Sequence, residues 1–299
     1  MILIDFSQCA IANISHFTDD LKKSKVDKET AANIIRHAIL SSIKHYKHKY
    51  HKEYGEVVIA CDGRHYWRKE VFPLYKGSRK KNRDKSDLDW GIIFEIIGEI
   101  RDDLKVHFPY RVIHVDRAEA DDVIAVMCKW TQTNGMIDHD VFEEKQPVLI
   151  MSADGDFKQL QKYNNVKQWN PMMKKFVVSK NNKEELIEKI CTGDTGDGIP
   201  NICSADETLI TEGMRQKPFA KKRFVEFYEK GIEACIDKQE RQRYERNEKL
   251  ISFDHIPEDV AQSIINAYID SKPKGDKMSV MNYLIKHKCR MLLQDLESF

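Results

Sequence analysis

Residues 147–157 read PVLIMSADGDF, an apolar run that ends in two closely spaced carboxylates. A short apolar run bounded by turn residues is typical of a buried strand. Asp-Gly is also a hairpin turn, but Phe157–Leu160 resembles the start of a helix rather than a returning strand. We therefore interpret Asp154 and Asp156 as ligand-binding carboxylates.

The same order of apolar run and acidic residue occurs twice nearer the N-terminus. Met1–Ile4 precedes Asp5, and Glu56–Cys61 precedes Asp62. One Asp after a strand is more often a turn residue or a helix N-cap. Acids that follow several strands of one parallel sheet are harder to explain in that way, because ligands bind at the carboxyl ends of such strands.

Helical patterns separate the apolar runs. We predict strands at 1–4, 56–61, 111–115 and 147–153, and helices at about 29–50, 90–106 and 120–133. This alternation predicts an α/β fold, with a mainly parallel central sheet and helices on both faces. We expect polar residues 134–147 to form a surface connection. The predicted domains are an α/β domain at 1–182 and a smaller helical region at 183–299.

A second acidic group, Glu119-Ala120-Asp121-Asp122, opens the helix after the third strand. Carboxylates in a first helical turn complement the helix dipole, so helix capping is one explanation. Three acids within four residues exceed what capping requires and repel one another unless cations neutralise them. Glu119 and Asp122 share a helix face and Asp121 does not, but spacing alone does not choose among them.

Clustered carboxylates without nearby Cys or His suit Mg²⁺ or Mn²⁺ better than zinc. Magnesium keeps several waters, so many of these acids would act through water. Two such ions about 4 Å apart can activate a water and stabilise a leaving oxygen in phosphoryl transfer. This chemistry requires neither a nucleophilic side chain nor an organic cofactor.

Charge is unevenly distributed along the 299 residues, although the net charge is only +1. Between residues 64 and 85 the basic residues are Arg64, Arg68, Lys69, Lys76, Arg79, Lys80, Lys81, Arg83 and Lys85. Acidic groups separated from a basic stretch suit a protein that binds a polyanion through metal ions. The seven scattered cysteines and the lack of a long apolar run predict reduced thiols, a cytoplasmic location and no membrane association.

Together these motifs resemble the 5′-nuclease family, which includes flap endonucleases and has a PIN-like fold. The resemblance rests on Asp5, Asp62, EADD at 119–122, SADGDF at 152–157 and GDTGDGIP at 193–200. Smaller features, YWRKE at 66–70, NVKQW at 165–169 and the final ESF, resemble the ribonuclease H branch found in T-even bacteriophages. The similarity covers nearly the whole chain.

The resemblance implies roles for individual residues. The metal-site acids would be Asp5, Asp62, Glu119, Asp121, Asp122, Asp154, Asp156, Asp194 and Asp197. The basic segment at 64–88 would form an arch or loop over the site, with Arg68 and Lys76 as catalytic stabilisers of charge on the phosphate. Nucleic-acid contacts would come from Tyr75, Arg79, Lys80, Lys81, Arg83, Gly196, Gly198, Lys221, Lys222 and Arg223.

The GDTGDGIP motif matches the family's helix–loop–helix, which grips the duplex backbone and binds a monovalent ion. The family loop has Ser-Asp-Asn where this chain has Gly196-Asp197-Gly198, and Asn201-Ile202-Cys203 replaces a Gly pair. We therefore assign no monovalent ion to this loop. Its glycines would expose backbone N–H groups to phosphate.

The implied function is a structure-directed 5′ to 3′ exonuclease and flap endonuclease with ribonuclease H activity. The enzyme would use two Mg²⁺ ions, replaceable by Mn²⁺, on DNA and RNA–DNA duplexes with 5′ ends or flaps. It would remove RNA primers and adjacent DNA in lagging-strand replication. Phage kinship further implies a monomer in the host-cell cytoplasm that contacts a single-stranded-DNA-binding protein and a sliding clamp.

Two alternatives remain open at this point. A PIN-type single-strand ribonuclease would have the same sheet and acids, but it does not need the long basic segment or the duplex-gripping loop. A non-catalytic nucleic-acid-binding module would use metals only for stability. Acids present at every motif weigh against that module, because clustered like charges are costly unless they serve ions.

Overall fold

The computed structural model describes residues 1–22, 27–134, 136–139 and 142–299, without the side chains of 80–82, 136–139 and 142–144. The strands are β1 (Ile2–Asp5), β2 (Val57–Cys61), β3 (Arg111–His114), β4 (Met136–His139), β5 (Phe142–Lys145), β6 (Val148–Met151), β7 (Val166–Asn170) and β8 (Lys175–Val177). Six of them form one sheet in the order β3-β2-β1-β6-β7-β8, in which only β8 runs antiparallel to its neighbour. This confirms the predicted mainly parallel sheet.

Eleven α-helices and five 3-10 helices are present in the described part of the chain. The α-helices are α1 (Phe6–Ser15), α2 (Lys28–Tyr54), α3 (Trp67–Val71), α4 (Ser78–Asp84), α5 (Trp90–His107), α6 (Ala120–Trp130), α7 (Asn182–Thr192), α8 (Lys221–Lys230), α9 (Lys238–Ile251), α10 (Glu258–Asp270) and α11 (Lys277–Lys286). The 3-10 helices are Gly155–Lys162, Asp206–Leu209, Gly231–Ala234, Phe253–His255 and Arg290–Ser298. No helix among these is long and apolar enough to cross a membrane.

The central strands are buried on both faces, as their unbroken apolar sequences require. Ile2 and Ile4 lie in a core shared with α2, α5 and α11. Leu3 points to the opposite face and is equally buried, and α6 packs against β1 and β2. Helices therefore cover both faces of the sheet, as predicted.

Two segments differ from expectation. Residues 134–147 were predicted as a plain connection, but β4 and β5 lie within this range and pair as an antiparallel hairpin. Strands β7 and β8 were not predicted. In β7 (VKQWN) buried positions alternate with more exposed ones, so Lys and Gln interrupt the apolar run that marks the other strands.

The chain divides into two compact units. The first contains residues 1–64, 86–177 and 259–299, and the second contains 65–85 and 178–258. These boundaries differ from the predicted division into 1–182 and 183–299. The C-terminal residues belong to the first unit because Val280, Tyr283 and Leu284 of α11 are part of the main core.

The second unit has its own apolar core. Phe72 and Tyr75 from the basic segment are buried there with Ile190, Phe227 and Leu250. The segment predicted as an arch or loop therefore carries α3 and α4 and is anchored by its aromatic residues. Its charge alone did not reveal this packing.

Two glycines in the first unit allow a test of the packing of its C-terminal segment. A Cβ on Gly275 would lie 2.1 Å from the carbonyl oxygen of His107, whereas a Cβ on Gly98, within α5, would meet nothing within 4 Å. We expect Gly275→Ala to destabilise the protein by about 1–3 kcal/mol through overpacking. Gly98→Ala should stabilise it by roughly 0.5–1 kcal/mol through helix propensity. Urea unfolding measures both, and equal stability of the two variants would contradict the close approach.

Candidate active site

Four neighbouring strands bring acidic residues to one edge of the sheet. After β3 the chain crosses to the other side of β1, so a topological switch point lies between β1 and β6. Asp5 ends β1, Asp62 follows β2, Glu119 comes after β3, and Asp154 follows β6. The crevice outside a switch point is where open α/β sheets bind ligands.

Asp5 is the most constrained carboxylate at this edge. It caps α1 by accepting a hydrogen bond from the Gln8 amide at 3.0 Å, and it accepts another from Ser152 Oγ at 3.1 Å. Burial, assisted by the nearby charges of Asp62 and Asp154, raises the pKa of Asp5 to about 7. The hydrogen bond from Ser152 to Asp5 spans the switch point, because Ser152 directly follows β6.

Asp62 links the end of β2 to the first turns of α1 and α6. Its carboxylate accepts hydrogen bonds from Ser7 Oγ at 2.5 Å and from the Ala120 amide at 2.9 Å. The next residue, Gly63, donates from its amide to the Ala118 carbonyl oxygen at 2.8 Å, and a Cβ there would lie 2.8 Å from the same oxygen. Glycine thus permits the close approach that places the Glu119 region beside Asp62.

The acids of EADD divide as their spacing suggested. Glu119 and Asp122 form a reciprocal capping box at the start of α6, and each is almost completely buried. Asp121 is only half-buried. The helix-capping explanation therefore holds for Glu119 and Asp122, while their role as metal ligands stays a prediction.

The Asp154 loop is held from the neighbouring strand. Asp154 accepts from the Asp156 amide at 2.9 Å and opens the 3-10 helix Gly155–Lys162, so the expected helix start after Asp-Gly-Asp is confirmed. The buried Gln168 of β7 donates to the carbonyl oxygens of Ser152 at 3.0 Å and Asp154 at 2.6 Å. Asp154 itself is exposed and available to solvent.

The remaining two predicted acids belong to the second unit. Asp194 accepts from the amides of Gly196 and Asp197 and pairs with Lys189 at 2.7 Å. Burial opposes its charged form, but the Lys189 charge and these hydrogen bonds outweigh burial and lower the pKa of Asp194. A metal role for Asp194 and Asp197 stays a prediction.

Asp197 links the GDTGDGIP loop to the basic segment within the second unit. Its carboxylate accepts from Tyr75 Oη at 2.9 Å and from Arg79 at 2.5 Å, and Lys76 Nζ lies 3.8 Å away. The Lys76 amide also donates to the Asp197 carbonyl oxygen at 2.7 Å. Gly198, at φ +72°, packs behind this contact.

Other predicted contact residues have structural partners. Arg68 is buried, donates to the Leu250 carbonyl oxygen at 2.8 Å, and stacks over Trp67. Arg223 pairs with the buried Glu240 at 2.6 Å. The catalytic role of Arg68 and the nucleic-acid role of Arg223 stay predictions, and in this conformation both side chains support the fold.

The other basic candidates lie near helix ends or on α4. Lys221 and Lys222 are exposed in the first turn of α8, and Arg83 is half-buried on α4. The side chains of Lys80 and Lys81 lie outside the described residues. The helix N-terminus at Lys221 is suitable for binding an anion.

Sequence reasoning missed four residues that shape the acidic edge: Ser7, Gly63, Ser152 and Gln168. Two signals were available, because Ser7 and Ser152 stand two residues from Asp5 and Asp154. Gln168 offered none, since it acts from a strand that was not predicted. These residues supply the hydrogen bonds and the close approach that hold the carboxylates together.

The edge fits metal ions in its donor chemistry. Asp5, Asp62 and Asp154 are hard oxygen donors, and burial, together with the charges of Asp62 and Asp154, raises the pKa of Asp5. In the described residues, no group of three or more His, Cys, Asp or Glu side chains is arranged to hold a metal by itself. An ion that keeps several waters and takes few direct carboxylates, as Mg²⁺ does, is compatible with this set of oxygen donors.

An acidic, mainly parallel sheet edge and a separate unit with a basic segment define an α/β enzyme for an anionic substrate. Residues 1–191 match the model of the 5′-3′ exonuclease N-terminal resolvase-like domain, and residues 181–299 match that of the T4 RNase H C-terminal domain. The ribonuclease H of Enterobacteria phage T4 is 35% identical over 99% of this chain and 95% of its own. The chain belongs to the 5′-nuclease family, whose members include flap endonucleases, and it is a nuclease.

Solved structures share the fold. A bacteriophage T5 flap endonuclease in a pseudo-enzyme–product complex with DNA and metal ions has a TM-score of 0.62 at 18% identity, covering 90% of this chain and 98% of that one. A T5 5′-exonuclease with bound zinc has a TM-score of 0.55 at 19% identity, covering 96% and 98%. At these identities the likeness concerns the fold alone.

The raised pKa of Asp5 predicts how stability depends on pH without metal. The folded protein keeps a proton on Asp5 that the unfolded chain loses, because the pKa rises from 3.8 to about 7 on folding. This contribution is complete below about pH 4 and is lost as pH rises through about 7. Asp5→Asn should therefore raise the melting temperature of the metal-free protein more at pH 8 than at pH 5.

Calorimetry in chelator at the two pH values measures the effect. Asp270→Asn, which alters an exposed acid at the end of α10, is the control and should show no such pH dependence. A lower melting temperature for Asp5→Asn at pH 8 would mean that its hydrogen bonds to Gln8 and Ser152 outweigh charge burial.

Proposed function

We propose that this nuclease is a structure-directed 5′ to 3′ exonuclease and flap endonuclease with ribonuclease H activity. The observation that carries the proposal is the delivery of acids by four neighbouring strands to one switch-point edge, in a chain of the 5′-nuclease family. Such an edge can collect cations and face a phosphodiester. Family kinship supplies the preference for 5′ ends and flaps.

Divalent cations are proposed as the cofactor, with two Mg²⁺ ions as the physiological choice and Mn²⁺ as a substitute. Asp5, Asp62, Asp154 and Asp156 would hold them, with Asp121, Glu119 and Asp122 completing the acidic shell. When bound, such ions activate water and stabilise the leaving oxygen. The chain's own contribution is orientation, since Ser7, Ser152 and backbone amides fix the directions of the carboxylates.

DNA and RNA–DNA duplexes with 5′ ends or flaps are the proposed substrates. The T5 flap endonuclease of the same fold was solved with DNA and metal ions, which supports this class. Kinship to the T4 ribonuclease H supports a replication role, in which the enzyme removes RNA primers and adjacent DNA. Its partners there would be a single-stranded-DNA-binding protein and a sliding clamp, and we propose that it acts as a monomer.

The deciding experiment compares a labelled 5′-flap, an RNA-primed nicked duplex and a closed single-stranded circle. Purified protein with Mg²⁺ should cut the first two near the junction and leave the circle intact, and chelator should stop cleavage. Comparable digestion of circle and flap would instead favour a PIN-type single-strand ribonuclease. No cleavage of any substrate would favour a non-catalytic binding module.

Replacing single acids at the edge tests the metal assignment. Asp62→Asn and Asp154→Asn should each abolish cleavage but leave folding and DNA binding largely intact, because losing one carboxylate also relieves repulsion. Rates on the flap substrate, anisotropy with labelled DNA and circular dichroism measure the three properties. Asp270→Asn serves as the exposed-acid control. Wild-type cleavage by either edge variant would remove that acid from the site.

The basic segment should separate chemistry from binding. Lys76 is the proposed stabiliser of transition-state charge, so Lys76→Ala should lower kcat with little change in binding, and Lys76→Arg should retain part of the rate. Neutralising Lys80, Lys81 and Arg83 should instead weaken binding. It should also flatten the log–log salt dependence by up to about one unit for each lost phosphate contact. If Lys76→Ala changes only Kd, its catalytic role is wrong.

A further inference from the structure

A groove in the first unit lies outside the acidic edge. Its volume is about 750 Å³, and it is bounded by α1, α2 and the turn between β7 and β8. This volume lies within the range of ligand-binding clefts. The described residues that line it include no Asp or Glu, although the chain has 48 acidic residues in all.

Basic side chains line this groove from three elements. They are His16 after α1, His37, His45 and Lys49 on α2, and Lys174 in the β7–β8 turn. Partial burial lowers the pKa of His45, and the nearby positive charges of Lys49, His48 and Lys174 lower it further. Lys49 and Lys174 are thus the charged side chains that would draw an anion to the groove.

Aromatic rings accompany the cations. Trp169, Tyr46 and Phe17 all line the groove. Lys49 Nζ lies over the Trp169 ring, 4.5 Å from its centre, so the cation and the aromatic ring are in direct contact. Alternating positive charges and aromatic faces are how proteins bind single-stranded nucleic acid without sequence preference.

The groove is joined to the acidic edge through β7. Trp169 pairs with Met151 in the sheet, and its carbonyl oxygen accepts from the Ser152 amide at 3.2 Å. The preceding residue, Gln168, holds the Asp154 loop. Neighbouring residues of one strand therefore support the edge and line the groove, on opposite faces of the sheet.

We propose that this groove binds a single-stranded segment of nucleic acid, with its phosphates at Lys49 and Lys174 and its bases against Trp169 and Tyr46. The proposal rests on the proposed function, since it gives the nuclease a second contact with its substrate. A protein segment is the less suitable occupant. The described lining is cationic and has no acidic side chain that could pair with the Lys or Arg residues of a protein partner. A free nucleotide shares the same chemistry, and the experiment distinguishes it from a strand.

Photo-crosslinking locates the strand directly. Wild-type protein in chelator is mixed with a single-stranded oligonucleotide that contains 5-iodo-deoxyuridine, irradiated, digested and analysed by mass spectrometry. We expect crosslinks to Tyr46 or Trp169, and deoxythymidine monophosphate at equal nucleotide concentration should not suppress them. Crosslinks confined to the second unit would overturn the proposal, and complete suppression by the mononucleotide would replace the strand with a free nucleotide.

Matched lysine pairs test the energetic contribution. Lys49→Gln with Lys174→Gln removes two groove cations, whereas Lys52→Gln with Lys175→Gln removes exposed neighbours that do not line it. Replacing the groove pair should raise Kd for single-stranded DNA about tenfold. It should also reduce the slope of log K against log salt concentration by about 0.7 for each lost phosphate contact. The control pair should stay within about twofold of wild type, as sites without phosphate contacts do.

Equal losses of affinity for single-stranded DNA in the two double variants would mean that general surface charge causes the effect. That result would overturn the proposal that the groove binds the strand. If the wild type fails to cleave any substrate, the proposed function fails, while crosslinking and binding in chelator still decide the groove.

Discussion

The need to hold like charges together at one sheet edge governs much of the first unit. Burial of Asp5 beside Asp62 and Asp154 raises its pKa to about 7, so the edge is electrostatically unfavourable without cations. Donors from the protein partly compensate: Ser152 and a backbone amide for Asp5, Ser7 and another amide for Asp62. Burial of the apolar core of the sheet stabilises the fold and offsets the remaining repulsion among these carboxylates.

The sequence predicted this edge because two patterns coincided. Unbroken apolar runs such as Val148–Met151 marked buried parallel strands, and an acid after each run marked the carboxyl edge. The pattern did not decide what Glu119 and Asp122 do, since capping and metal binding both favour acids in a first helical turn. Their reciprocal hydrogen bonds show capping, which leaves other lone pairs on each carboxylate for further partners.

The missed features depend on contacts between residues far apart in sequence. Gln168 is polar, and only the pairing of β7 with β6 reveals that it holds the Asp154 loop. The basic segment was predicted as an arch or loop, yet its Phe72 and Tyr75 are buried in a core built mainly from residues after 186. A charge pattern predicts which side chains face solvent. The placement of the basic segment in the second unit depends instead on the burial of Phe72 and Tyr75.

The second unit illustrates how an acid can hold a basic segment in place. Asp197 accepts from Tyr75 and Arg79 and lies beside Lys76, so it orients the cations of the segment and offsets part of their charge. The side chain of Arg79 is 47% exposed and that of Lys76 only 12%. Lys76, between the rings of Tyr66 and Tyr75, is held more firmly. The two cations beside Asp197 therefore differ in their surroundings: Arg79 is open to solvent, and Lys76 is enclosed.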